Sequence, residues 1–468
     1  MSRINTNVSS LIAQRVLKKN NDNLNTSLER LSTGLKINTG KDNPAGLIAS
    51  ENLKAEQTGI TTAIDNAQRA DNIIGTAEGG LGEVSSLLTE LQGLVGQAAN
   101  TGGLSTEEVN ANQLQADSIL ATINRIAQST SFQGKQLLNG NYAYSTSSVA
   151  GSKIGDVEVN AATLADGSTK AVVINVAQSA QTATVGYTGG AVATGGVTIE
   201  IAGNNGTQQL SFGSGTTVAQ IITGINAVKT ATGVSAAASG SDARFDSQGF
   251  GSKQFVSVKL ITGAFTTTAN QDFGRDATVS VNGATAQADG LNVSYRDAGL
   301  DVAFNLKSGI NSTNGTTTFY VTGGGAKFAL GSKVTETDKA SIGISSVSTG
   351  SLGDASNGFL STLGSGQTNS LSSNNLVTSQ KIIDKAIKQV SQLRGRLGAF
   401  QKFTIGSTIN SLGVAYENVS ASESAIVDTD FAEETAQLTR SQILSQAAST
   451  VLAQANATPQ NALALLRG

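Results

Sequence analysis

Adjacent carboxylates are the first side chains to weigh for chemistry, because two neighbouring acids can divide general-acid and general-base work between them. Glu107-Glu108 and Glu433-Glu434 are such pairs, and both read as solvated helix faces. Little else in the sequence could assist them. There is no His, no Cys and no Trp in 468 residues, and aromatics make up 4%. Nucleophiles, general bases and soft metal sites that need a thiol or an imidazole are therefore excluded, a His-Glu-x-x-His zinc site among them. Serine–lysine chemistry and paired carboxylates stay open on composition alone. No cofactor is implied, and a net charge of -3 gives no basic footprint for nucleic acid. The sequons Asn205-Gly-Thr and Asn311-Ser-Thr carry little information in a chain this rich in Asn and Thr.

The elements that would position any site are of two kinds. From Leu53 an apolar stripe runs Ile60, Ala63, Ala67, Ala70, Ile74, Ala77, Leu81, Val84, Leu88, Leu91, Val95, Ala98, stepping by three and four almost throughout. That spacing places one seam along a coiled-coil helix. A second seam, Ile383, Ile387, Val390, Leu393, Leu397, Phe400, lies toward the other terminus. Neither can be buried alone, so the two ends of the chain must meet with the middle looped out. Residues 1–40 read as a first amphipathic helix with Leu24, Leu28, Leu31 and Leu35 at steps of four, three and four. Asn43 suits an N-cap and Pro44 the first helical turn. The helix they open runs to about Asn100, roughly 80 Å at 1.5 Å per residue. Gly75, Gly79, Gly80 and Gly82 weaken its centre and read as sites of close helix contact. Ser105-Thr106-Glu107-Glu108 offers a capping start to a return helix that ends at Phe132-Gln133-Gly134.

Between about Tyr142 and Gly325 the period changes to two. Val197–Ile201, Val256–Leu260 and Leu300–Leu306 alternate as half-buried strands. Asn282-Gly283 marks a hairpin turn, and one short helix, Val218 to Val228, interrupts the strands. One or two small β-rich domains follow. Phe328-Ala-Leu and Ile342-Gly-Ile read as a last β pair, helix resumes near Leu376, and a final helix begins near Asp430 and is expected to break at Pro459. The fold class is α+β, with long coiled-coil-like helices from both termini forming a rod and a β-rich insertion in the middle. Residues 1–40 and 430–468 carry too little apolar area to stand as lone helices, which predicts disorder in the monomer and helix in a polymer. The start Met1-Ser-Arg-Ile-Asn lacks the charged and apolar regions of a secretory signal, and no run approaches the length of a membrane span.

Several motifs at both ends resemble bacterial flagellins, the subunits of flagellar filaments. They are Ser2-Arg-Ile-Asn-Thr-Asn, Leu28-Glu-Arg-Leu-Ser-Thr-Gly-Leu-Lys-Ile-Asn and Lys41-Asp-Asn-Pro-Ala-Gly, followed by Ile426-Val-Asp-Thr-Asp-Phe-Ala, Glu434-Thr-Ala-Gln-Leu-Thr-Arg-Ser-Gln-Ile-Leu and Leu452-Ala-Gln-Ala-Asn. The resemblance covers about 1–140 and 326–468, and Gly203 to Val234 is similar to a small ββα-like motif of some flagellins and filament-cap proteins. It implies an inner terminal-helix domain (1–44 and 420–468), a helical rod domain with a β-hairpin (45–140 and 326–419) and a solvent-facing variable domain (141–325).

The implied function is a structural, non-enzymatic subunit that self-polymerises into the filament for swimming motility. A hook–filament junction protein or other minor axial protein is the alternative. Implied partners are further copies of the chain, the flagellar export apparatus, a C-terminal export chaperone, and the filament cap and hook-junction proteins. Export without a cleaved signal to an extracellular filament agrees with the missing signal peptide. Leu24, Leu28, Leu31, Leu35, Leu438, Ile443, Val451 and Leu452 are the expected terminal assembly residues, and Leu88, Leu91, Leu397 and Phe400 the expected rod core. The family usually ends on Leu-Leu-Arg; here Leu465-Leu466-Arg467 is followed by Gly468. At the positions read by the flagellin-sensing Toll-like receptor, this chain has Glu90 in place of an Arg, keeps Leu94, and has Gln115 in place of an acid. That charge reversal implies weak or absent receptor stimulation. Some relatives carry O-linked sugars on a Ser/Thr-rich middle like this one.

Overall fold

A computed structural model of the chain describes residues 6–100, 103–165, 167–192, 194–297, 299–312, 314–373 and 375–467, with backbone alone over 459–467. Ser2 to Asn5 of the N-terminal motif, Thr101-Gly102 of the expected turn and Gly468 lie outside the described residues, as do the side chains of Leu465, Leu466 and Arg467. Among the described residues the helices are α1 (Val8–Thr33), α2 (Pro44–Ala98), α3 (Thr106–Ser129), α4 (Val218–Ala227), the short α5 (Lys229–Thr232) and α6 (Ser308–Asn311), α7 (Leu376–Ala399), α8 (Ser407–Val427) and α9 (Phe431–Arg467). The chain divides into two compact units, one of residues 1–68, 329–338 and 405–468, the other of 69–328 and 339–404.

The first unit is built on the antiparallel pair α1 and α9. Asn7 caps α1 by accepting the Ser10 N–H at 3.0 Å. Gly34 ends it with φ +75, a left-handed conformation that a Cβ resists, so the helix stops at Thr33 and not near residue 40. Leu35 then pairs with Asp428 in a single antiparallel bridge. The Lys36 N–H donates to the Val427 carbonyl at 2.6 Å and the Thr429 N–H to the Gly34 carbonyl at 2.9 Å. Two residues on, Asp430 caps α9 through Oδ1, which accepts from the Ala432 and Glu433 N–H groups at 2.9 and 3.2 Å. Asn43 caps α2 by accepting from Gly46 at 2.9 Å, with Pro44 as the first helical residue. Contrary to the expectation from sequence, α9 does not break at Pro459. Proline brings no N–H to the carbonyl four residues back, and the Ala455 carbonyl is instead given a donor by Asn7 Nδ2 at 2.8 Å.

In the second unit α2 continues with α3 and α7. Ala70, Ile74, Ala77, Leu81, Val84, Leu88 and Leu91 are fully buried. On α7 the buried positions are Ile382, Ile383, Ala386, Val390, Leu393 and Leu397, so Ala386 takes the inner position and Ile387 is half-buried. Arg394 Nε and Nη2 clasp Glu78 Oε1 at 3.0 and 2.6 Å. Of the four central α2 glycines, Gly80 alone meets close neighbours. A Cβ there would stand 2.7 Å from Thr130 Oγ1 and 2.9 Å from Leu138 Cδ1, whereas Gly75 and Gly79 face open space. The close contact is thus with the segment after α3, not with another helix. There Ser131–Phe132 and Lys135–Gln136 form a small hairpin.

The middle region holds two β cores. An all-antiparallel sheet runs in the order Ser145–Ser147, Gly315–Gly323, Lys170–Gln178, Thr278–Val281, Ala284–Asp289, Asn292–Asp297, Leu300–Leu306, Ile154–Ala162. It buries Val172, Ile174, Val281, Val302 and Phe319. The expected Asn282-Gly283 hairpin turn is present, with φ of 50 and 87 at its two residues. Between the neighbouring strands Lys170–Gln178 and Thr278–Val281 the chain makes an excursion that forms the second core. A hairpin of Val197–Gly203 with Gly206–Phe212 is followed by α4, giving a ββα arrangement. Thr217 and Gln220 form a capping box at the start of α4, and Ile221 and Ile225 are its buried face. The excursion leaves and returns at a bridge between Gln181 and Arg275.

Candidate functional site

The acid pairs have structural work. Glu108 completes the capping box of α3, accepting the Ser105 N–H at 2.7 Å while Ser105 Oγ accepts the Glu108 N–H at 3.2 Å. Those bonds, the backbone one foremost, hold its carboxyl below the usual carboxylate range. Glu434 is buried between α1 and α9 and faces Arg30 Nη1 at 3.5 Å, while Glu433 lies exposed in the first turn of α9. A cavity of about 690 Å³ lies among Glu158, Asn160, Arg296, Asp301 and Arg396. Its acids are engaged: Asp301 accepts from Arg296 and Asn160, and Glu158 faces Arg396 at 3.5 Å. Burial pulls the Arg396 guanidinium below its ordinary pKa. Among the described residues no group of three or more His, Cys, Asp or Glu is placed to hold a metal.

The α1–α9 pair is the feature that organises the first unit, and its polarity is reversed. On α1 the inward positions step by three and four through Ser10, Ala13, Leu17, Asn20, Leu24, Ser27 and Leu31. Ser10, Ala13, Asn20 and Ser27 are buried, and the leucines between them half-buried. On α9 the matching positions are Glu434, Leu438, Ser441, Ser445, Ala448, Leu452 and Ala455, with Glu434, Ser441 and Ala448 buried. Side chains bridge the seam: Ser10 Oγ donates to Asn456 Oδ1 at 2.7 Å, Asn20 Nδ2 to the Leu444 carbonyl at 3.1 Å, and Ser445 Oγ to Asn21 Oδ1 at 2.6 Å.

Large apolar side chains, by contrast, sit on the outside. Val8, Leu11, Ile12, Val16 and Leu28 of α1 and Ile443, Leu444 and Val451 of α9 are all exposed, Ile443 by 64%. A helical hairpin that served only itself would place these groups inward and the Ser and Asn outward. Covering these eight side chains would release on the order of 10 kcal/mol at most, since each full burial is worth ~1.5–3 kcal/mol and they are already partly covered.

The residues expected to drive terminal assembly therefore fall into two sets. Leu24, Leu31, Leu438 and Leu452 are half-buried in the seam, and Leu35, also half-buried, lies beyond the Gly34 cap. Leu28, Ile443 and Val451 point away from it. Leu28 leaves the stripe because its neighbour Ser27 holds the inward position. Of the expected rod residues, Leu88, Leu91 and Leu397 are fully buried, and Phe400 is half-buried with its ring 6.1 Å from that of Phe328. Glu90 and Gln115 are exposed and Leu94 is 5% exposed. Sequence reading passed over Asn7 and Asn20, although small or polar residues at one of the two inward positions of each heptad were there to be read.

Residues 4–143 match the family description of the bacterial flagellin N-terminal helical region, and residues 380–466 match that of the C-terminal helical region. Similarity to curated proteins extends through the middle as well. The chain is 31% identical over 464 residues to Flagellin D of Vibrio anguillarum, covering 99% of both chains. It is equally similar to Polar flagellin B/D of Vibrio parahaemolyticus serotype O3:K6, at 31% over 464 residues and 99% of each. Flagellin D of Vibrio cholerae is 30% identical over 464 residues, again across 99% of both chains.

Proposed function

This chain belongs to the bacterial flagellin family, and from that premise we propose that its terminal helices are the polymerising machinery of a flagellar filament subunit. The protein is a structural component of the filament used for swimming. Full-length relatives that are themselves flagellins favour this over a hook–filament junction role. One observation carries the mechanism: the residues the α1–α9 pair buries fully are small or polar, while eight large apolar side chains stay exposed. Such a pair gains little by folding alone and much by being surrounded, so helix order and subunit addition are coupled.

In this reading Leu24, Leu31, Leu35, Leu438 and Leu452 hold the pair together, while Leu28, Ile443 and Val451 meet neighbouring copies. Residues 1–44 and 420–468 form the inner layer, residues 45–140 and 326–419 the rod layer around a core that includes Leu88, Leu91, Leu397 and Phe400, and residues 141–325 the solvent-facing part. The subunit passes through the flagellar export apparatus without a cleaved signal, its last helices masked by an export chaperone, and joins an extracellular filament beneath the cap and beyond the hook-junction proteins. Glu90 and Gln115 make it a poor agonist of the flagellin-sensing Toll-like receptor, and a reporter-cell titration against an enterobacterial flagellin tests that. The assembly reading is tested by seeded polymerisation followed by electron microscopy. Intact chain should extend seeds, and chain lacking 1–40 and 430–468 should not. Extension by the truncated chain would overturn it.

A further inference from the structure

We infer that Asn7 is a register-setting residue, which fixes where α1 lies along α9 so that polymerised subunits share one terminal geometry. The inference rests on the assembly reading above and adds a specific role to one side chain. The seam on its own is nearly degenerate. Its inward positions on α9 repeat every seven residues as Glu434, Ser441, Ala448 and Ala455, and those on α1 include Ala13, Asn20 and Ser27 at the same spacing. Apart from the Arg30–Glu434 pair at one end, sliding one helix by a heptad would mostly set small residue against small residue, with little change in packing. Polar groups at seam positions are the known means of breaking such degeneracy, because their hydrogen bonds exist in one register only.

One backbone contact here has that property. Asn7 Nδ2 donates to the Ala455 carbonyl at 2.8 Å. This is the carbonyl that Pro459, having no N–H, leaves without its helical donor. Within the stretch of α9 facing α1 that vacancy occurs once, since the other proline of the chain is Pro44. A slip of seven residues would aim Asn7 at a carbonyl already engaged by its own helix and leave Ala455 unanswered. Asn20, buried in the seam, donates to the Leu444 carbonyl at 3.1 Å, but that acceptor has equivalents one heptad away on either side, so this bond holds the pair together without choosing its register.

The absence of cysteine from the chain makes a direct test clean. Ser445→Cys is combined in turn with Asn21→Cys or Gln14→Cys, both at the same position of successive α1 heptads. Asn21 faces Ser445 at 2.6 Å and so reports the observed register, while Gln14 reports a slip of one heptad. Filaments of each full-length double variant are treated with a short bifunctional thiol reagent, and the intramolecular product is quantified. In the otherwise native chain only the 21/445 pair should react. Asn20→Leu is the control: it adds apolar area to the seam, should leave the ratio of slipped to in-register product near its native value, and should retain helicity by circular dichroism. With Asn7→Ala added instead, that ratio should rise about fivefold, the effect of losing one ordinary hydrogen bond from one register.

An unchanged ratio in that background overturns the register assignment, as does reaction of the slipped pair in the native background. Failure of the native chain to form filaments at all would instead refute the assembly reading. The two failures are therefore distinguishable.

Discussion

At the residue scale, the four glycines in the middle of α2 do not share one reason for being glycine. Gly80 is packed against Thr130 and Leu138, and Leu138 is fully buried and cannot give way. Gly80→Ala should therefore destabilise the second unit by ~1–3 kcal/mol through overpacking. Gly75→Ala and Gly79→Ala, with open space around them, should each stabilise it by up to about 1 kcal/mol through helix propensity. Thermal unfolding followed by circular dichroism orders the three variants, and equal effects would contradict this reading. Asp276 offers a titratable counterpart. Its carboxylate accepts the Ser252 hydroxyl at 2.5 Å, the Gly290 N–H at 2.7 Å and the Ser252 N–H at 3.0 Å. These bonds, the hydroxyl first, hold its pKa below the ordinary 3.8. A depressed folded-state pKa stabilises at pH above 3.8, and that contribution is lost as pH falls through the folded value. The acid-side decline in melting temperature should be shallower for Asp276→Asn than for the native chain.

At the scale of elements, the α1–α9 pair separates two kinds of leucine-like position, and mutation can tell them apart. Leu31→Asp puts a charge in the seam and should abolish filament growth while residues 141–325 stay folded, read by electron microscopy and by the strand signal in circular dichroism. Ile443→Asp changes an outward residue, so the monomer's stability should move by no more than about 0.5 kcal/mol while elongation from seeds fails. Much of this level was legible beforehand. The α2 stripe from Ile60 to Ala98 is buried residue for residue as its three-four spacing predicts, because every inward position there is apolar. The same rule misplaced Leu28 on α1, where Ser, Ala and Asn alternate with leucines on the inward face and several large apolar groups point out. Hydropathy identifies the face that avoids water, and in a chain that finishes folding among its neighbours that face need not be internal. The Pro459 break failed for a related reason: a local rule was answered by a side chain almost the whole chain length away. The small hairpin at Ser131–Gln136 escaped notice because two-residue strands have no period.

At the scale of the whole molecule, the middle region is one sheet interrupted by a second core, and the interruption is tidy. Gln181 and Arg275 exchange backbone bonds of 2.8 and 3.0 Å where the excursion begins and ends, between strands that are neighbours in the sheet. Replacing residues 182–274 by a two-glycine turn removes the Ser252 and Lys253 contacts to Asp276 and Asp289 but should leave the larger sheet folded and filament growth undiminished, because loop closure between ends already in contact costs little. Limited proteolysis of the shortened protein should yield a resistant core containing residues 141–181 and 275–325, and rapid digestion of that stretch would show the two cores to be interdependent. The same doorway has a bearing on descent. A block of sequence joined at one bridge and a few contacts to Asp276 and Asp289 can be recombined, lengthened or lost with little renegotiation elsewhere, so a lineage is free to redraw that portion of the molecule while inheriting its helical ends unchanged.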